Sequence, residues 1–372
     1  DTGCTSAVCC GSSLTYAETS HIMHDPVKCG IAISWEGDEM DVLKVTGLYI
    51  AGVIGAGFAS GQELVQFFAN YGWIGLAGIG LSTLGLTLGC GYVLEYCSRQ
   101  KIGSYGDLIG SMAVKAGWLL DMVYSVFLLV GVGVMLAGSG ELFASTGWEL
   151  AARYATALLA AILLVSGVDV ILEMSSVLVP ILLGTLLCIC LRHLGVYGGK
   201  IPLTGSIQGV GASVLYSSYN LSFSVAVLTG VHEILNTKAK RWIMASVSNL
   251  ILGLLMVVLV LAIWALPPEQ QRDPVPLLNV ARAWSGQAFR AYRIVLWASM
   301  YTTAVANSFA LVKRLSNETN LSWSMAVILV LGAALISSHL GFVFLIRIAY
   351  PLLGIAGLYL FFALWKAEVR AE

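Results

Sequence analysis

The chain has 372 residues, 58% of them hydrophobic and only 11% charged, with a formal net charge of −1 and a mean hydropathy of +0.84. That composition supplies too little polar surface for a water-soluble globule and specifies an all-α integral membrane protein. It carries no basic footprint for nucleic acid, and its partners are expected to be a small-molecule solute and the lipid bilayer, with the oligomeric state left open.

Residues 1–39 stand apart from this pattern. They hold Cys4, Cys9, Cys10 and Cys29, mixed polar residues and no apolar run long enough to span. His21, His24 and Cys29 match no standard zinc spacing, so the segment reads as a disordered extension or a misassigned start, with Met40 as the true first residue. A single transmembrane domain is expected over 40–372.

Reading for apolar runs of about 20 residues, the length that crosses a bilayer, gives ten candidate spans: 45–68, 73–96, 116–138, 150–168, 174–193, 207–231, 242–266, 291–312, 322–339 and 341–365. The first contains GVIGAGFASGQE, from Gly52 to Glu63, which places four glycines where a membrane helix should be continuous. In hydrocarbon an unpaired backbone N–H or C=O costs several kcal/mol, so broken helix survives at that depth only where it lines a cavity or holds a ligand. The sixth span shares the peculiarity, with Gly209, Gly211, Ser213, Ser217, Ser218, Asn220, Ser222 and Ser224 scattered through it. Two broken helices, 1 and 6, five spans apart, fit a five-plus-five inverted repeat of about 44–193 and 207–366. At 1.5 Å per residue, Gly55–Gly57 and Ser217–Asn220 both fall roughly 15–20 Å along their helices, near the midplane.

Placing the N-terminus in the cytoplasm puts twelve Lys and Arg inside and seven outside, and three of the seven sit in one long connection after the seventh span, with Arg293 just beyond it. Both termini are therefore expected to be cytoplasmic in a multi-pass protein of the cell membrane. In that connection Leu277, Leu278, Ala281 and Trp284 share one face of a short helix, suited either to covering the mouth of a cavity or to lying in the interface.

The candidate substrate site is the break itself, Gly55, Ala56, Gly57, Ala59 and Ser60, with Ser217, Ser218, Tyr219 and Asn220 of the sixth span. These residues offer N–H, hydroxyl and amide groups but no carboxylate or ammonium, which suits a zwitterion whose carboxylate meets the positive end of a half-helix. Tyr124, about 14 Å into the third span, is a further candidate. Glu63 and Arg347 lie at similar depths, about 10 Å and 9 Å below the outer ends of spans 1 and 10, so an ion pair is expected, either as an outer gate or as a static structural pair. No nucleophile, base and orienter set, no HExxH and no phosphate loop is present, so an enzyme is not expected.

The segment YIAGVIGAGFASGQELVQFFANYGWIG, beginning at Tyr49, resembles the start of the YkvI-type bacterial membrane proteins, and the resemblance covers Met40 to about Lys366. That family resembles a branch of the amino acid, polyamine and organocation transporter superfamily, which implies a LeuT-type fold. The resemblance further implies a sodium ion, as coupling ion rather than cofactor, between carbonyls of Gly52 and Gly55 and the i, i+3, i+4 set Ser299, Thr302 and Thr303 in span 8. The resulting expectation is a secondary active transporter moving an amino acid or similar zwitterion with sodium. A ligand sensor of the same fold and a proton-coupled transporter are the alternatives, the latter with Glu63 as the nearest titratable group.

Overall fold

The computed structural model describes residues 38–103, 107–108, 111, 117–166, 169–319 and 321–369. The expectation for residues 1–37, with its cysteines and histidines, lies outside the described residues. Helix begins at Asp38, two residues before Met40.

The first span is three pieces. Helix α1 (Asp38–Val53) stops at Ile54 and Gly55, α2 (Ala56–Ser60) ends at Gly61 in the left-handed region (φ 86°), and α3 (Gln62–Phe67) leads through a 3-10 turn (Ala69–Tyr71) into α4 (Gly72–Gln100). Then follow α5 (Gly117–Glu141), α6 (Glu149–Ser166), α7 (Asp169–Tyr197), α8 (Gln208–Val231) and α9 (Lys238–Trp264). Beyond them come the short α10 (Pro268–Gln271) and α11 (Pro276–Trp284), then α12 (Gly286–Glu318), α13 (Trp323–Ser338) and α14 (Phe342–Val369). Thr237, Ser285 and Ser322 cap α9, α12 and α13 by accepting a backbone N–H from the first turn.

Among the described residues, seven helical stretches are long and apolar enough to cross a membrane. Their exposed faces are apolar, which in water would be an aggregation liability and in lipid is the expected outer surface. Leu158, Ile162 and Val165 of α6, Leu250 and Leu254 of α9, and Phe344, Ile348, Leu352 and Ile355 of α14 form such stripes.

The sixth span departs from expectation: α8 runs unbroken from Gln208 to Val231. Its hydroxyls do not open the helix but bond back to the preceding turn, Ser213 to Gly209 O, Ser222 to Ser218 O and Ser224 to Asn220 O, as does the Asn220 amide to Tyr216 O. The small residues serve close packing instead. A Cβ at Gly78 of α4 would stand 2.0 Å from Ser213 Oγ, and one at Gly357 of α14 would stand 2.2 Å from Ser218 O. Small side chains on both partners let the backbones approach where lipid gives no hydrophobic drive.

Helices α1 and α4 each pack on both α8 and α9. A second set forms where α5 packs on α6, α12 and α13, and α12 and α13 pack on each other. The broken span joins the two, because α2 touches α5 and α12 while α3 touches α8, α9 and α14.

Candidate functional site

Breaking a helix frees carbonyls, and here both backbone amides and side chains take them up. The Gly61 amide bonds Phe58 O at 3.0 Å. Ser60 Oγ donates to Gly57 O at 2.7 Å while accepting from Gln62 N at 3.2 Å. The carbonyl of Ala59 accepts the hydroxyl of Tyr292 on α12. Over this turn lies α11, as a cover: a Cβ at Gly61 would stand 2.8 Å from Leu277 Cγ. Leu277, Leu278 and Ala281 are buried, and Trp284, the last residue of the helix, is 42% exposed.

Tyr292 was not marked by any pattern in the sequence, since one tyrosine in an apolar span looks like core. Its bond predicts that Tyr292→Phe leaves a buried carbonyl unpaired and costs about 1–3 kcal/mol, read by unfolding in detergent against Tyr301→Phe, whose hydroxyl bond to Leu159 O is exposed.

Two residues beyond Gly61, Glu63 is 4% exposed and folds back into the break. Tyr219 donates its hydroxyl to Glu63 Oε2 at 2.5 Å. The other oxygen lies against Gly57, where an added Cβ would stand 2.1 Å from Oε1. Aromatic rings close the remaining sides, with Tyr219 centroids 5.4 Å from Phe67, 5.4 Å from Tyr216 and 5.1 Å from Tyr350. The Tyr216 hydroxyl and Gln62 Oε1 are buried with no hydrogen-bond partner.

This corrects the expectation of a site without a carboxylate, because residue spacing sets height along a helix but not the direction a side chain folds once the helix is broken. It corrects the gate as well. Arg347 is exposed, on the flank of α14 that carries Phe344 and Ile348, and it makes no ion pair with Glu63. Equal depth is not equal azimuth.

Of the four expected residues on α8, Tyr219 reaches the break. Ser217 is half-buried against Gly85 of α4 and lines an apolar cleft of about 200 Å³ with Leu81, Leu84 and Leu221. Ser218 donates to Gly354 O on α14 at 2.6 Å, and Asn220 bonds within α8. Successive helical residues point about 100° apart, so four in a row cannot share one pocket. Tyr124 is half-buried on α5 beside Phe127. Gly55 sits at the break with extended backbone, Ala56 opens α2, and Gly57, Ala59 and Ser60 are buried.

For the sodium set, Ser299 and Thr302 are buried on α12, where Thr302 Oγ1 donates to Ser299 O at 3.1 Å, and Thr303 is half-buried. Gly52 turns its open side to Val227 of α8, 3.5 Å from an added Cβ.

A wider cavity of about 610 Å³ lies away from Glu63, among His193, Tyr197, Lys200, Trp264 and Gln271.

No protein-family model matches the chain. It is 26% identical over 326 residues to the uncharacterized membrane protein YkvI of Bacillus subtilis (strain 168), covering 84% of this chain and 91% of that one. It is 27% identical over 321 residues to the uncharacterized protein YyaD of the same organism, covering 84% and 93%. Among solved structures it is similar to the inward-facing conformation of Mhp1, with a TM-score of 0.58 and 14% identity over 79% of this chain and 69% of that chain. The chain is therefore a multi-pass membrane protein homologous to YkvI and YyaD, with the LeuT-type fold seen in Mhp1.

Proposed function

We propose that the protein is a secondary active transporter that moves a small solute, an amino acid or similar zwitterion, across the cell membrane by alternating access, with both termini cytoplasmic. The observation that carries this reading is the broken first span, whose α2 touches α5 and α12 of one helix set while its α3 touches α8 and α9 of the other. Non-helical backbone at that depth is tolerated where it binds something or moves. The grouping of α1 and α4 with α8 and α9, apart from α5, α6, α12 and α13, supports a five-plus-five repeat, since it pairs spans 1 and 2 with 6 and 7, and 3 and 4 with 8 and 9.

The coupling ion is a cation. Sodium on Ser299, Thr302 and Thr303 with carbonyls of Gly52 and Gly55 draws support from the burial of Ser299 and Thr302, and is weakened by Gly52 facing α8.

Thermal stability of the detergent-purified protein, measured across a panel of amino acids with sodium or choline, tests both parts. A ligand at one hundred times its Kd stabilises by about 2.7 kcal/mol, so a clear upward shift with one solute is expected. A sodium-dependent shift that Thr302→Val abolishes would establish the sodium site; a shift indifferent to sodium would remove it. No shift with any solute in the panel would count against an amino acid cargo.

A further inference from the structure

We propose that Glu63 is a proton-binding group that couples the transport cycle, protonated while the first span is packed as seen here and deprotonated when the turn at Gly61 opens. The proposal rests on the transporter reading and names the coupling step of the same site.

Four observations converge on it. Glu63 is a carboxyl within a membrane span, buried to 4% exposure, on the short segment between the two interruptions and the 3-10 turn. An ionisable side chain in that position is costly to keep and is by default a functional group. Among the described residues it has no basic partner. The titratable groups that face it are tyrosines, Tyr216 and Tyr219 of α8 and Tyr350 of α14. Among the other elements packed on α3, α9 holds its titratable residues, Lys238, Lys240 and Arg241, in its first turn at the far end from Trp264, which bonds Ala69 O beside α3. The segment α2 has none, and the 3-10 turn has Tyr71.

The third observation is space. Oε1 is pressed against Gly57 and Oε2 is taken by the Tyr219 hydroxyl. A metal cation needs several oxygen ligands and room for them, whereas a proton needs neither. Lastly, the bond from Tyr219 joins α3 to α8 while the bond from Tyr292 joins α2 to α12. The state of Glu63 is thereby tied to how the two helix sets meet across Gly61. An ionised carboxylate calls for water, which the packed site does not admit beside Gly57, so losing the proton favours opening. The step moves one proton from water to Glu63 and back to water, with no electron transfer.

The test is acid-minus-alkaline infrared difference spectroscopy on the full chain in lipid. The expected result is a carboxyl C=O stretching band in the wild type that Glu63→Gln removes and that Tyr219→Phe and Gly57→Ala shift, because the first removes the hydroxyl on Oε2 and the second crowds Oε1, while both leave the carboxyl group itself in the chain. Identical spectra for wild type and Glu63→Gln would overturn the proposal; if Glu63→Gln does not fold, an unshifted spectrum in both other variants does so. A second arm separates this from the transporter reading: proteoliposomes with an internal pH dye and the radiolabelled amino acid panel. Uptake with acidification that falls to background in Glu63→Gln is expected. Uptake without proton movement would overturn the coupling role while leaving transport standing. A titrating Glu63 band with no uptake of any solute would leave proton binding standing and overturn both the cargo reading and the coupling built on it.

Discussion

Glu95→Ala is expected to destabilise the protein by about 3–5 kcal/mol, the cost of leaving a buried charge without its partner. Arg241 at the start of α9 grips Glu95 near the end of α4 through Nε at 2.9 Å and Nη2 at 3.2 Å, and its Nη1 donates to Leu235 O at 2.9 Å. Both side chains are buried. The fork geometry uses the planar guanidinium fully, so Arg241→Lys should lose most of the stability as well. The double variant Glu95→Leu with Arg241→Met is expected to recover most of it, because a well-packed apolar pair carries no desolvation penalty. Equilibrium unfolding in mixed micelles measures all four proteins. A Glu95→Ala loss below about 1 kcal/mol would place the pair with exposed surface bridges instead.

Gly72→Ala should be comparably damaging for a different reason. Gly72 has φ 57° and ψ −143°, a backbone region that only glycine enters without strain, and such strain costs about 1–3 kcal/mol. An added Cβ would also stand 1.8 Å from Thr204 O, so overpacking adds a further cost of about 1–3 kcal/mol. At this point the connection before α8 docks on the end of the broken span, through the bridge to Gly205 and the bond from Ser206 N to Tyr71 O at 3.3 Å. Gly80→Ala in the same helix meets nothing within 4 Å and should be neutral or stabilising by about 0.5–1 kcal/mol. Equal effects of the two substitutions on unfolding would contradict this account.

Depth and polarity along the chain determined a good deal. The apolar runs marked where helices lie, because a span's length is set by the bilayer and its composition by lipid. The glycines from Gly52 to Gly61 marked the interruption of the first span, and at Gly61, with φ 86°, the chain takes a backbone angle that other residues adopt only with strain. The motif starting at Tyr49 pointed to relatives that the comparison over 84% of the chain supports.

What the chain could not give by itself is azimuth. Ser217 to Asn220 look alike as a polar run, yet α4, α14 and the break each receive a different member of it. The same run suggested a second broken helix, and α8 is continuous because its hydroxyls bond backward and its small residues face Gly78 and Gly357. Glu63 and Arg347 share a height and face different surroundings. Glu95 finds its partner only where α9 brings Arg241 to it. Each of these depends on which neighbour packs on which side of a helix, a relation between residues distant in sequence that only the assembled bundle fixes.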